Sequence, residues 1–481
     1  MNRNLFFYVF LLLGIELTSC IQQTSLYDPN ATSTTNSTGV PESDIYLYPF
    51  NDESSNNVVE LTISTNKALN ADAIQTEIPH LKYNKEWLCL FTQDDCNHST
   101  YAYTWASING KPQTDSTFYD VQQLLAGDLP PDTFSYHKSL GCTDGAGNEV
   151  RFAFTTALFQ ENKNLNDLTS VRKGYTDNYF RFYMKSTLTW SDIRDMLNYG
   201  NGIAFHNGED DNWSANEDSI LKHYSIGQDS IIKHLSGRGS KMLADPDGNI
   251  HYINAAYRFP TIQTLTAEGN ANTKVYPFKV ETDLKEDIIE RTFYDTPSQI
   301  KTAIIENMNT PKEQRPAITI GAHRAYDDTG KLFLWINDTY GKDGDDTVWF
   351  PCQEEYYEYC YYRNHAKITK SSDGNTLKLT VSMPSGEYFY YPSITVNLSG
   401  LKKSDIQSIT TSSNVTGLSY ADHKNNLMIN INCRTHLLDL AKHYVSVYLK
   451  SKTEDKLRDA KYFVNMLKDS DDKETLLKSL K

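Results

Sequence analysis

Short apolar runs alternate with amphipathic stretches between residues 85 and 365. Runs such as Trp87–Phe91 are typical of buried strands, whereas Trp190, Ile193 and Leu197 recur at the spacing of one helix face. The predicted strands are Trp87–Phe91, Gly202–Phe205, Ser240–Ala244, Thr261–Thr266 and Ala317–Ile320. The predicted helices are Thr189–Tyr199, residues 214–235, Ile250–Tyr257 and Pro297–Met308. Alternating strands and helices predict a parallel sheet or barrel.

The pattern changes after about residue 366. Leu377, Leu379, Val381 and Met383 alternate with polar residues, which predicts an antiparallel β-domain. Helical periodicity returns from His436 to the end of the chain. Together with the N-terminal patterns, this predicts six segments: a leader (1–19), a flexible tether (20–43), a small β segment (44–84), a barrel (85–365), an antiparallel β-domain (366–433) and C-terminal helices (434–481).

The N-terminus has the pattern of an export signal. Arg3 precedes the apolar run Leu5–Ile15, which is too short to span a bilayer comfortably. The run is followed by Leu17–Cys20, which resembles a bacterial lipobox with Cys20 as the lipidated residue. An ordinary signal peptide with a nearby cysteine is the alternative. We therefore predict a lipoprotein of the bacterial outer membrane, on its periplasmic or surface face, with residues 20–43 as tether.

The composition of the chain argues against some classes of function, above all nucleic-acid binding. The chain has 481 residues, and 46 basic against 61 acidic residues give a formal net charge of −15. This charge does not favour binding to a nucleic-acid backbone. Aromatic residues reach 12%, including 32 Tyr. The Tyr-rich segment Glu355–Arg363 could stack on sugars, although core packing on a helix explains it better.

Polar residues follow several predicted strands at the point where each strand ends. They are Asp94 and Asp95, His206 and Asp210, the segment Asp245–Gly248, and His323. The carboxyl ends of parallel strands form one rim, so we expect these residues to lie together. Carboxylates and histidines can hold a divalent ion that acidifies water, while a second Asp and a remote His move protons. The set predicts a metal-dependent hydrolase.

The same residues resemble the motifs of the polysaccharide deacetylases, carbohydrate esterase family four. The family's Thr-Phe-Asp-Asp-Gly motif corresponds to Phe91–Cys96, and its His-x-x-x-His motif to His206–Asp210. Its Arg-x-Pro-x-Gly motif corresponds to Ala244–Gly248, and its last motif, a strand that ends in His, to Thr319–His323. The resemblance covers residues 85–363 and is that of a divergent lipoprotein member from a Bacteroides-like bacterium.

The resemblance implies a fold and a set of roles. The fold is a distorted (β/α) barrel with fewer than eight regular strands. Asp94 would be the general base and His323 the general acid. Asp95, His206 and Asp210 would ligate a divalent metal, zinc first and cobalt or nickel as alternatives. The substrate would be an acetylated glycan.

Three departures keep a second hypothesis open. Cys96 replaces the glycine of the first motif, Asp210 replaces the second metal histidine, and Ala244 replaces the arginine that steadies the base. Arg258–Pro260 is a rival match for that arginine motif, although it follows a helix instead of a strand. The first hypothesis is a metal-dependent deacetylase. The alternative is a glycan-binding lipoprotein that has lost catalysis, and a weaker third is a structural envelope protein without a sugar site.

Overall fold

A central parallel sheet organises the protein, whose computed structural model describes residues 57–114, 121–125, 127, 130–166, 187–207, 215–285 and 287–481. Within these residues the sheet has nine strands. In chain order they are Trp87–Gln93, Thr155–Leu158, Gly202–Phe205, Met242–Ala244, Thr264–Ala267, Ile288–Glu290, Thr292–Phe293, Ile318–Ala322 and Val348–Trp349. Every pairing between them is parallel. The strands at residues 240–244 and 261–266 begin two or three residues later than predicted.

The sheet curls into a nearly closed barrel. Its strand order starts at Ile288–Glu290 and ends at Thr292–Phe293. Only Arg291 separates these two segments, so one extended stretch of chain pairs with the sheet on both sides. This geometry confirms the predicted distorted (β/α) barrel. The expectation of fewer than eight strands was wrong, because the described residues place eight parallel strands along the barrel path. It also places Arg291 where the sheet closes.

Helices cover the barrel strands. They span Trp190–Asn198, Glu217–His234, Ile250–Arg258, Pro297–Met308 and Asp327–Tyr340. The first begins with the predicted capping box, in which Thr189 and Asp192 satisfy each other's backbone amides. The helix predicted from residue 214 begins instead at Glu217, because the side chain of Asn216 accepts the hydrogen bonds of the first turn.

Two antiparallel sheets pack against the barrel and share a core with some of its residues. The first has the strand order Lys367–Asp373, Thr376–Met383, Asn57–Thr65, Ile406–Thr411, and the second Gly417–His423, Asn426–Asn432, Ser393–Ser399, Thr76–Glu77. Antiparallel strands after residue 366 are as predicted. The strand Asn57–Thr65, from the segment predicted as a small N-terminal β unit, pairs on both sides with strands of that C-terminal region. Buried residues of both sheets form one core.

The Tyr-rich helix Gln353–His365 closes the lower end of the barrel. Its Glu354 accepts the backbone N–H of Ile203 at 2.9 Å, at the start of a barrel strand. Tyr356 and Tyr359 are fully buried in the core that the antiparallel sheets share with the barrel floor. The tyrosines of this helix are therefore core residues, as the preferred interpretation of the segment stated.

The C-terminal helices complete the fold. They are Leu437–Ser451, Glu454–Asn465 and Asp471–Ser479. Shorter elements include the helices Ala106–Ile108 and Val121–Leu125, the π-helical turn Thr100–Trp105, and the hairpin strands Gly141–Thr143 and Glu149–Arg151. Asp459 docks the middle helix, because it forms buried ion pairs with Lys111 and with Arg151 (Oδ1–Nη1 2.8 Å). No helix in the described ranges is long and apolar enough to cross a membrane. The predicted leader with Cys20 lies outside the described residues.

Candidate active site

Asp94 is the buried centre of the rim. It follows the strand Trp87–Gln93, and its backbone N–H continues the sheet by donating to the carbonyl of Ala322 at 2.8 Å. Its side chain is 1% exposed. Oδ1 of Asp94 accepts a hydrogen bond from Nη1 of Arg291 at 2.7 Å, and Oδ2 lies 3.9 Å from Nε2 of His206. A buried carboxylate held by a guanidinium is oriented and charged, as a general base must be.

Asp95 and His206 meet across the rim. Oδ1 of Asp95 lies 3.5 Å from Nε2 of His206. The other ring nitrogen, Nδ1, lies 2.8 Å from the carbonyl oxygen of Ala244. A carbonyl only accepts, so Nδ1 carries the proton and the lone pair of a neutral ring lies on Nε2, toward the carboxylates. Phe159 stacks on the ring, with centroids 5.7 Å apart, and fixes its plane.

The turn after Asp94 has an uncommon backbone. Asp95 has φ 65° and Cys96 has φ 49°, both in the left-handed region. That region favours glycine, which explains why the resembling motif has glycine at the position of Cys96. Here the N–H of Cys96 donates to the carbonyl of Ala157 at 2.9 Å, and its carbonyl accepts from Leu188 at 2.8 Å. These two bonds hold the turn without glycine.

The charges of the rim shift the pKa values of its groups. The hydrogen bond from His206 lowers the pKa of Asp95, and the charges of His206, His323 and Arg291 add to this against the opposing effect of burial. Burial lowers the pKa of His206, but the charge of Asp94 and the hydrogen bond with Asp95 outweigh it, so the net shift is upward. Carboxylates and imidazole thus support each other's charged forms.

Arg291 is the functional residue that the sequence analysis missed. Its Nη1 binds Asp94, and its Nη2 donates to the backbone carbonyl of Asp245 at 2.7 Å. The rival candidate Arg258 is wrong for this role. Its side chain is 50% exposed and pairs with Asp218 at 2.7 Å on the helix surface. One feature of the sequence could have identified Arg291. It is a charged residue close to the apolar residues Ile288, Ile289 and Phe293, which is unusual unless the charge has a buried partner.

Asp245 lies in the same region, directly after the strand Met242–Ala244. It is buried, and neither oxygen of its carboxyl group has a hydrogen-bond partner within the described residues. Burial raises the pKa of Asp245 to about 7, although Arg291 and Asn270 oppose the shift. In this buried environment the protonated form of the carboxyl group is favoured up to about neutral pH, because burial penalises the charged form.

His323 follows the strand Ile318–Ala322, as predicted, and is exposed. Its ring packs on Phe293 with centroids 4.9 Å apart. Two residues later, the N–H of Ala325 donates to Oγ of Ser99 at 3.0 Å and anchors the loop. The charge of His323 contributes to the lowered pKa of Asp95, which places it within electrostatic reach of the metal-side carboxylate.

Residues 59–481 match the sequence profile of a family described as "Putative polysaccharide deacetylase". The chain belongs to this polysaccharide deacetylase family. No curated protein matches the chain. Family membership and the fold agree with each other, since Asp94, His206 and His323, which resemble deacetylase motif residues, each directly follow a barrel strand.

The arginine that contacts Asp94 comes from a different place in this chain than in the resembling motif. At the motif position stands Ala244, whose backbone carbonyl instead orients His206. The guanidinium comes from Arg291, in the stretch that closes the barrel. A missing arginine in the motif therefore does not leave Asp94 without a cationic partner.

Two of the three residues that the resemblance implies as metal ligands, Asp95 and His206, are adjacent in the rim. The carboxylate of Asp95 and the Nε2 of His206 are adjacent, and the hydrogen bond at Nδ1 is the usual support of a metal-binding histidine. In the parts of the chain that the structure describes, no group of three or more His, Cys, Asp or Glu residues could hold a metal. Asp210, the predicted third ligand, lies outside the described residues.

Proposed function

We propose that this protein removes acetyl groups from an acetylated polysaccharide or glycan at the cell envelope, with the help of a divalent metal ion. The observation that carries the proposal is the arrangement of Asp94 between Arg291 and His206. A buried carboxylate is costly to desolvate, so one that is oriented between a guanidinium and an imidazole favours a role in water activation over a purely structural one.

Asp94 is the proposed general base. Arg291 holds Oδ1 at 2.7 Å, so Oδ2 is the oxygen on the side of His206 and takes the proton from the attacking water. The guanidinium cannot lose its own proton, so it keeps the base in place through the whole reaction. Burial excludes competing water from Asp94 and strengthens these interactions.

The backbone of the turn offers a donor for the oxyanion. The N–H groups of Asp94 and Cys96 are used in bonds to Ala322 and Ala157. The N–H of Asp95, between them, has no acceptor within the described residues. A backbone donor near the base is the arrangement that stabilises a tetrahedral oxyanion. His323, across the rim, would donate a proton to the leaving nitrogen or oxygen.

Asp95 and His206, with Asp210 as third residue, would hold the ion, which is most plausibly zinc and otherwise cobalt or nickel. When bound, such an ion polarises the acetyl carbonyl and lowers the pKa of water. His206 keeps its Nε2 directed at the site through its bond to Ala244. Asp95 is half-exposed and is thus reachable from the substrate side.

We place the enzyme in the bacterial outer membrane, anchored by a lipid on Cys20 and separated from it by residues 20–43. The basis is the leader with its lipobox and the Ser/Thr/Asn-rich composition of the tether. The acetylated glycan is the proposed partner, and the net charge of −15 argues against nucleic acid.

Metal analysis tests the proposal first. The chain from Ile21 onward is purified, and its zinc, cobalt and nickel contents are measured beside Asp95→Ala and His206→Ala. About one tightly held ion per chain, lost in both variants, is expected. Asp94→Asn is the matched control, because it should retain the ion and lose hydrolysis of acetylated xylan, chitin oligosaccharides or peptidoglycan.

A chain that binds no ion, even when the three metals are supplied, would overturn the hydrolase mechanism. Glycan binding without hydrolysis would then favour the alternative function, a deacetylase-like binding lipoprotein. Two departures in the sequence favour that alternative, namely Ala244 in the place of the motif arginine and a carboxylate, Asp210, in the place of a metal histidine. The first carries less weight here, because Arg291 contacts Asp94 instead.

A further inference from the structure

Phe293 contacts two residues that take part in the proposed proton transfers. It lies two positions after Arg291 in the stretch of chain that closes the barrel, and alternate residues of an extended stretch share a face. The centroid of its ring lies 5.2 Å from Cζ of Arg291. The ring of His323 packs on the same phenylalanine, with centroids 4.9 Å apart. Phe293 therefore joins the arginine that holds the proposed base to the histidine that is the proposed acid.

The contact between Phe293 and His323 has the geometry of a stable aromatic pair. The ring planes are inclined by 30°, and the centroid separation lies within the usual range of about 4.5–7 Å. His323 is exposed, and its ring makes no hydrogen bond within the described residues. In this part of the chain, packing on Phe293 is thus the contact that can restrict the orientation of the imidazole. An aromatic pair shifts such an equilibrium about 2- to 12-fold.

Gly321 makes room for the ring of Phe293. The two residues are paired in the parallel register between Thr292–Phe293 and the strand Ile318–Ala322. A Cβ atom added at Gly321 would lie 2.5 Å from Cε2 and 2.6 Å from Cζ of Phe293. Carbon atoms in contact prefer about 3.5–4.0 Å, so a side chain here would displace the ring. A glycine inside a strand often marks a close approach of this kind.

The place of this glycine connects the packing to the proposed chemistry. Gly321 precedes His323 by two residues, near the end of the strand Ile318–Ala322. The ring of Phe293 thus lies against the strand end that carries the histidine. A general acid must come within hydrogen-bond reach of the leaving atom, and a displacement of about 1 Å can lower a rate strongly. An exposed histidine meets this requirement only if its ring is held.

We propose that Phe293 positions His323 for proton donation, and that glycine is needed at position 321 to make room for the ring of Phe293. The inference rests on the proposed function, in which the proton of His323 goes to the leaving oxygen or nitrogen as the bond from that atom to the acetyl carbon breaks. One stretch of chain then orients both proton-transfer groups. Arg291 holds the base, and Phe293 holds the acid.

Two acetyl substrates with different leaving groups test the proposal on the chain from Ile21 onward. The leaving group of 4-nitrophenyl acetate departs without protonation, whereas a sugar alkoxide or amine needs a proton. Phe293→Leu removes the ring and keeps an apolar side chain. For acetylated xylan or chitin oligosaccharides, whichever the unmodified chain hydrolyses, kcat should fall about tenfold with little change in KM. For 4-nitrophenyl acetate, kcat should change less than about twofold.

Gly321→Ala tests the same contact from the opposite side. The added methyl group should displace the ring of Phe293 and lower kcat for the glycan about tenfold. In the double variant Phe293→Leu with Gly321→Ala, the two losses should not multiply, because each change disrupts the same packing. Gly321→Ala also serves as the second variant if Phe293→Leu fails to fold.

Phe278→Leu is the matched control. Phe278 packs on His80 with centroids 5.7 Å apart and has Nζ of Lys312 at 4.7 Å from its ring centroid, so it too lies between a histidine and a cation. It packs against the core of the antiparallel sheets. The same substitution there should leave both rates unchanged.

Histidine NMR measures the packing without relying on hydrolysis. The ring current of Phe293 displaces the ring-proton resonances of His323, which are assigned with His323→Gln. These resonances should move in Phe293→Leu and in Gly321→Ala, and should stay in place in Phe278→Leu.

The inference is overturned if the resonances of His323 do not move, or if Phe293→Leu lowers the rates for the glycan and for 4-nitrophenyl acetate by the same factor. Failure of the proposed function has a different signature. In that case the unmodified chain hydrolyses neither substrate, and proton donation by His323 is refuted together with the hydrolase mechanism.

Discussion

Nη1 of Arg291 lies 2.7 Å from Oδ1 of Asp94, and both side chains are almost completely buried although 197 residues separate them in the chain. Arg291 stands between the first and last segments of the sheet order. The residue that closes the barrel is thus also the residue that holds the proposed base. Stability and activity should therefore respond together when this pair is broken.

Arg291→Met should destabilise the protein by about 3–5 kcal/mol, because it leaves the buried charge of Asp94 without its partner. The value of kcat/KM should fall by about 100-fold, since the base loses its orientation. Urea unfolding and a deacetylation assay measure the two effects. Arg258→Met is the matched control, because this half-exposed arginine forms a surface ion pair and its loss should change stability far less than Arg291→Met does.

The double variant Asp94→Asn with Arg291→Met separates pairing from packing. Removing both charges should recover part of the stability that Arg291→Met loses, because no unpaired buried charge remains. Strictly additive losses in the two single variants would contradict the ion pair as the source of the effect.

Glu354 should be essential for the floor of the barrel. Its Oε2 lies 2.7 Å from Nη2 of Arg238, and both side chains are completely buried. The same oxygen accepts the backbone N–H of Ile203. Glu354→Ala removes the buried carboxylate that Arg238 contacts and should lower the free energy of unfolding by about 3–5 kcal/mol. Urea titration measures it.

Glu474→Ala is the control for that experiment. Glu474 pairs with Lys478 on an exposed helix face, where ion pairs contribute about 0.3–0.5 kcal/mol. Equal losses in the Glu354 and Glu474 variants would show that burial of the Glu354–Arg238 pair has no energetic consequence.

Asp195 should make the protein less stable as pH rises. Burial raises the pKa of Asp195 to about 7, against the opposing hydrogen bond from Tyr101 and the charge of Lys111. Between pH 4 and 7 the folded protein then keeps a proton that the unfolded chain releases, so unfolding becomes easier as pH increases. Above about pH 7 both states are ionised and this contribution no longer changes.

Asp195→Asn removes this dependence. Relative to the unmodified protein, the variant should gain stability from pH 4 to pH 8, by up to about 4 kcal/mol at about 1.4 kcal/mol for each pKa unit. Urea unfolding at pH 4, 6 and 8 measures the difference. A difference that stays constant across this range would contradict a raised pKa of Asp195 in the folded protein.

The cysteines should be unreactive in the folded protein. The cysteines in the described residues are free thiols and all are buried, namely Cys89, Cys96, Cys142, Cys352, Cys360 and Cys433. Burial raises the pKa of Cys96 to about 12, so almost no thiolate is present at neutral pH. A thiol reagent such as Ellman's reagent should label no cysteine of the chain from Ile21 onward until urea is added. Rapid labelling of the native protein would show that one of these sites opens.

Local patterns in the sequence determine the elements of the barrel and the residues at the strand ends. An apolar strand before Asp94 and Asp95, and strands before His206 and His323, are visible as short periodic runs, because strand and helix periods involve neighbouring residues. The deacetylase resemblance adds roles for these residues. The resemblance does not identify Arg291 as the partner of Asp94, because Arg291 lies outside the resembling motifs.

Only the tertiary structure decided which distant segments meet. Arg291 contacts Asp94 because the segment that contains Arg291 pairs with both ends of the barrel sheet. The strand Asn57–Thr65 pairs on its two edges with strands from the C-terminal region. Such contacts depend on the strand order and curvature of the whole sheet, which no local periodicity contains. Local sequence thus determines the strands, the helices and most of the rim residues, whereas barrel closure supplies the charge that holds the proposed base.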